Sequence, residues 1–235
     1  MINTLPIQIS SYNNVQKVNH APVFTGLKPA EKMVRQTDNF AKKMYQTLFL
    51  GGKSDVCKIE DGFVYTQDNI NNRVISKKFK LLHRKPETVI KDNNFTSLRE
   101  RVDFNKNGTT NVEIQDIYTK GYKVSASYSG VKDGQAGESV KINYGDKQFE
   151  ISKETREALC GDFNKVLNEK FSKTSEEMRK MSDSEFDSYM NGYRLTPETT
   201  AAAILTSPQA LKDQLSCVNR ALPYGIECIM SKLGM

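Results

Sequence analysis

Tryptophan is absent and there are only two histidines, His20 and His83. Metal sites and acid–base machinery built on imidazole therefore have little to draw on. The four cysteines, Cys57, Cys160, Cys217 and Cys228, form no CxxC pair. That spacing excludes the common zinc patterns, and four free thiols packed as small hydrophobes are expected instead. No run of about 18 apolar residues occurs, so no transmembrane helix is expected. The first residues, Met1 to Ser10, lack a basic segment followed by an apolar run. A cleaved secretory signal is not expected, and cytoplasmic residence follows by default. A polar amino terminus of this kind is also what bacterial export systems that bypass cleaved signals can read, so export without cleavage is the competing expectation. No G-x-G-x-x-G, Walker A, G-x-S-x-G or H-E-x-x-H motif is present. The sequence thus names no catalytic residue, no metal ligand and no cofactor.

What is present is charge, unevenly spread. The formal net charge is +6. Residues 73–106 hold ten basic and four acidic residues, whereas residues 107–235 carry a slight negative balance. The basic run Lys77, Lys78, Phe79, Lys80, Arg84, Lys85, extended by Arg99 and Arg101, is the candidate binding patch. Lysines could hold phosphates while Phe79 stacks a base. The bland alternative is a solvated strand whose lysines guard a sheet edge, with Glu87, Asp92, Glu100 and Asp103 neutralising part of the patch. No nucleic-acid fold signature accompanies it, so a protein or other anionic partner is favoured over nucleic acid.

Patterning predicts an α+β fold. From Phe95 to Ile151, apolar residues alternate with polar ones in successive short runs. Leu98, Val102 and Phe104 oppose Arg99, Arg101 and Asp103, while Tyr122, Val124, Ala126 and Tyr128 oppose Lys123, Ser125 and Ser127. Lys120-Gly121, Asn107-Gly108 and Gly145-Asp146 are hairpin turns between these runs. Val56–Ile59 and Phe63–Thr66 flank a further turn at Asp61-Gly62, Arg73–Leu82 reads as a long strand, and Thr88–Ile90 as a short or edge strand. A twisted antiparallel meander of about seven to nine strands follows. Its apolar face is expected to pack on an amphipathic helix over 28–50 and on a second over 153–171. Residues 1–27 read as a flexible arm, 28–172 as the core domain and 173–235 as a cap of short helices. Thr174-x-x-Glu177 and Ser182-x-x-Glu185 are capping boxes, and Asn191-Gly192 is expected to close the second of these helices. Thr196-Pro197 and Ser207-Pro208 predict helices at 197–206 and 208–221, the latter ended by Pro223, with a last helix from about 225 to 233.

Two further motifs invite chemistry. Asp103, Asn105, Asn107 and Gly108 imitate the start of a calcium loop, but position twelve is Ile114 and the flanks read as strands, so a hairpin explains them. Cys160 lacks a neighbouring base and sits at the edge of an apolar stripe, so a packed thiol is expected. The reading is a non-enzymatic binding or interaction protein. Its competitors are a polyanion binder through residues 73–106, an enzyme of unrecognised fold, and a carrier of an apolar ligand on a curved sheet.

Overall fold

In a computed structural model, the residues described are 58–60, 62–68, 72–79, 85–93, 96–117, 123–218 and 221–235, with Lys43, Met44, Thr47 and Leu48. Among the described residues, nine strands form one antiparallel sheet in simple sequence order. They are β1 (Lys58–Glu60), β2 (Phe63–Asp68), β3 (Arg73–Phe79), β4 (Pro86–Asn93), β5 (Leu98–Phe104), β6 (Thr110–Asp116), β7 (Val124–Val131), β8 (Ser139–Tyr144) and β9 (Lys147–Ser152). Six helices follow: α1 (Lys153–Lys170), α2 (Ser175–Arg179), α3 (Asp183–Leu195), α4 (Pro197–Thr206), α5 (Pro208–Cys217) and α6 (Ala221–Lys232). Among the described residues no helix is long and apolar enough to cross a membrane.

Strand register makes the alternation physical. Ile114, Ala126 and Ile142 are successive cross-strand partners, as are Val112, Tyr128, Val140 and Ile151. Both rows lie on one face and are buried. Leu159, Phe163 and Leu167 of α1 join the same core, as do Ile204 of α4, Leu211 and Leu215 of α5, and Leu222, Ile226 and Ile229 of α6. The short carboxy-terminal helices therefore help to cover the sheet. The sheet was expected to be covered by the 28–50 helix together with α1. The 28–50 helix falls almost wholly outside the described residues, and its visible members Met44 and Leu48 are 43% and 54% exposed.

Local rules hold at most boundaries. Both capping boxes form, on Thr174 with Glu177 and on Ser182 with Glu185. The predicted helix at 197–206 spans those residues, opened by Pro197 in its first turn. Three expectations need correction. Thr88–Ile90 belongs to an eight-residue interior strand, with Pro86 tolerated at its first position opposite a bulge at Lys78/Phe79. Asn191-Gly192 does not end α3, which runs on to Leu195. The stop is instead Thr196, held extended at ψ 126° because it precedes proline. The helix predicted over 208–221 stops at Cys217 and the last one starts at Ala221 rather than near 225, so Pro223 does not end a helix either. It lies in the first turn of α6, where a missing N–H costs no hydrogen bond.

Candidate functional site

The opposite face of the sheet carries no helix over β5–β9 among the described residues, since α1, α5 and α6 meet the sheet on its apolar side. Arg101, Glu113, Ser127, Lys141 and Glu150 are successive cross-strand partners from β5 to β9. This row alternates in charge and forms part of a concavity of about 310 Å³. Opposite charges on facing strands attract one another, which fixes register as well as polarity. A neighbouring row is uncharged at its centre. Asn143 Nδ2 donates to Ser125 Oγ at 2.9 Å, and Gln148 Nε2 donates to Asn143 Oδ1. At the rim, the Ser139 hydroxyl donates to Glu150.

The sequence-predicted patch is divided by this sheet. Lys77 pairs with Val89 and lies on the apolar face, whereas Lys78 pairs with Thr88 on the polar face. Lys78 Nζ stands 5.6 Å from the Phe63 ring centroid, a cation–π contact. Phe79 faces Pro86 at the bulge, and Lys85 is exposed at the bend before β4. Lys80, Arg84 and His83 lie outside the described residues. Arg99 and Arg101 share the polar face with Lys78 but are engaged by acids. Arg99 makes a bidentate pair with Asp92 at 2.6 and 2.8 Å. That hydrogen-bonded partner outweighs burial and holds the Arg99 guanidinium above its usual range. Arg101 Nε lies 2.9 Å from Asp103 Oδ2, and Thr88 Oγ1 donates to the other oxygen of Asp103 at 2.7 Å. Three of the eight predicted cations and aromatics are thus brought together, each beside an acid or a ring.

The calcium-like loop is a hairpin. Gly108 adopts φ +84°, and Asn105 N–H donates to Thr109 O at 2.9 Å. Asn107 Oδ1 accepts from Thr109 N–H and Asn111 Oδ1 accepts from Asn105 Nδ2, so these oxygens are occupied within the turn. Cys160 Sγ lies 3.6 Å from both Thr206 Oγ1 and Asn164 Nδ2. Burial, with help from Glu198, pushes the Cys228 thiol up, away from a thiolate nucleophile. Cys160, Cys217 and Cys228 are free thiols, but Cys217 is exposed rather than packed as expected, and the other two are half-buried.

One arrangement left only a faint trace in the sequence, an acid at an apolar-face position. Glu100 of β5 accepts from Lys91 of β4 at 3.3 Å and from Lys212 of α5 at 2.8 Å. Burial alone would raise the Glu100 carboxyl, but the two lysines overcome it and hold the group below its usual range. Only strand register could reveal the first pair, and only the fold could bring in a lysine 112 residues away. Compared with known proteins, the chain matches no protein-family model, no curated protein and no solved structure.

Proposed function

We propose that this chain is a non-enzymatic binding protein whose working surface is the helix-free polar face of the sheet over β5–β9. The observation that supports it most is the row Arg101, Glu113, Ser127, Lys141 and Glu150, which lies along an open concavity of about 310 Å³. Such a row offers donors, acceptors and both signs of charge at fixed spacing, which is the pattern that reads a folded protein surface. A polyanion fits less well. On this face Lys78, Arg99, Arg101, Lys123 and Lys141 stand among Asp92, Asp103, Glu113 and Glu150, so most of the positive charge is offset. The concavity lining contains no histidine or cysteine. The apolar face of β6–β9 is filled by side chains such as Leu211, Leu222 and Ile226, which leaves a lipid-like cargo no evident seat there.

The test is affinity capture from cell extract with the full chain, its Ser127→Arg variant and a Glu157→Lys control on the exposed side of α1. Capture of a discrete protein by wild type and control, lost in Ser127→Arg, supports the reading. Capture unchanged by Ser127→Arg, or no discrete protein at all, overturns it.

A further inference from the structure

We infer that the outer edge of β9 pairs with the same edge of a second copy of this chain, joining two sheets across a two-fold axis. The inference does not rest on the polar-face reading, because it uses backbone groups at the rim of the sheet. β9 is the last strand of the sheet and is bonded to β8 alone. Tyr144 and Lys147 are register partners across the two-residue turn Gly145-Asp146, where Gly145 adopts φ +60°. Such a hairpin closes on a hydrogen-bonded pair, and bonded and non-bonded pairs then alternate along the ladder. Gly145 N–H donates to the Lys123 carbonyl at 2.8 Å, on the β7 side, which turns the backbone of Tyr144 toward β9 as that pattern requires. Lys147, Phe149 and Ile151 therefore direct their backbone groups at β8. Gln148 and Glu150 direct theirs outward, where they meet no backbone partner among the described residues. Proteins usually blunt such an edge with a proline, a bulge or a very short strand. β9 has six residues, no proline and no register shift against β8.

Parity and charge choose the occupant. Two antiparallel edges bond only where both direct backbone groups at each other, so even-numbered residues of β9 must oppose even-numbered ones. The same condition keeps the apolar faces of the two sheets on one side. Two such registers overlap five of the six residues of β9. In the first, Glu150 opposes its own counterpart, and like charges directly opposite destabilise a ladder. In the second, Gln148 of each copy opposes Glu150 of the other, and Phe149 opposes its own counterpart. Each Gln148 amide then faces a carboxylate, and Lys147 falls opposite Ile151, where it meets no like charge. Phe149 is only half-buried against the core, and the two rings cover each other. Gln148 and Glu150 exchange N–H···O=C bonds at both crossings. The pairing is isologous, so it closes at two copies and leaves no β9 edge for a third.

A contact limited to one strand pair belongs with small, transient interfaces, so a Kd of about 10–100 μM is expected. Sedimentation equilibrium on the full chain in reducing buffer, at concentrations spanning that range, should show a monomer–dimer equilibrium. Gln148→Pro removes an outward N–H and no bond to β8, so it should weaken the dimer about tenfold and leave the circular dichroism unchanged. Phe149→Cys reads the register. At the axis, position 149 forms a non-hydrogen-bonded pair with Cα atoms about 4.5 Å apart, within disulfide reach. Mild oxidation should link two copies through position 149. Peptide mapping by mass spectrometry separates that link from any made by the native thiols. In Glu150→Cys the two sulfurs lie on a diagonal about 7–8 Å apart and should not link. A chain that stays monomeric throughout overturns the inference. So does a dimer that Gln148→Pro leaves as tight, or a link through position 150 in place of 149. If Gln148→Pro does not fold, the position-149 link decides alone, and if Phe149→Cys does not fold, Gln148→Pro does.

Discussion

Tyr128 is 1% exposed, and its hydroxyl donates to the carbonyl oxygen of Ile204 at 2.8 Å. The bond stitches β7 to the helical layer. Tyr128→Phe leaves that carbonyl buried and unpaired, so a loss of about 1–2 kcal/mol in urea unfolding is expected. Burial pushes the phenol far above the usual value near 10. The unfolded chain ionises there and the folded one does not, so the stability contributed by Tyr128 is present below pH ~10 and lost as pH rises beyond it. Glu100 has the opposite sign. Its carboxyl is lowered, so its contribution is present above pH ~4–5 and lost as pH falls through the folded value. Glu100→Gln should flatten the acid limb of a stability–pH profile, and an unchanged limb would contradict the ion triad. The alternation of residues 122–128 was enough to put Tyr128 on the apolar face. Its acceptor lies 76 residues away on a helix and left no local trace. Glu100 likewise sits at an apolar-face position between Leu98 and Val102, where the pattern alone marks it as an exception without naming its partners.

At the scale of elements, two glycines in helices should respond oppositely to the same change. A Cβ on Gly225 would meet Thr200 Cγ2 at 2.6 Å and Ile204 Cδ1 at 3.0 Å, both on buried residues of α4. Overpacking there costs about 1–3 kcal/mol, more than the helix propensity of alanine returns. Gly225→Ala is therefore expected to destabilise by about 1–2 kcal/mol. On α1, nothing lies within 4 Å of a Cβ built on Gly161. Gly161→Ala should stabilise by about 0.5–1 kcal/mol, and matched thermal melts of the two variants check both signs. Helices α2 and α3 contain no buried residue. Helix α3 rests on Phe171, whose ring meets Tyr189 and Tyr193 edge-on at 5.6 and 5.3 Å. Amides of 175–195 should exchange with deuterium well before those of α4 and α6. Capping boxes and proline starts made most helix boundaries readable because they are contacts within four residues. The end of α3 was misread because Gly192 is tolerated in the helix, its Cβ position lying 3.6 Å from the Phe171 ring.

At the scale of the molecule, hairpin turns and alternation were enough to foresee an antiparallel meander, since each strand pairs with its neighbour in sequence. That α1 would cover it was legible from its apolar stripe; that α4, α5 and α6 would share the task was not, because amphipathicity says that a face is buried but not against what. The basic run was legible as composition, but the way its described members divide between the two faces was not. Adjacent Lys77 and Lys78 point to opposite faces, and Arg99 and Arg101 are paired with Asp92 and Asp103. A face whose described charges largely offset one another should bind nucleic acid weakly, so filter binding at physiological salt is expected to give a Kd no tighter than the nonspecific range of about 10⁻⁴–10⁻⁶ M. The most direct test of the polar-face account is photo-crosslinking in cell extract, with a crosslinking side chain placed at Ser127 in one full-length chain and at Glu157 in another. The account predicts a protein adduct of discrete mass from position 127 and none from position 157. Adducts from 157 alone, or the same adducts from both, would contradict it.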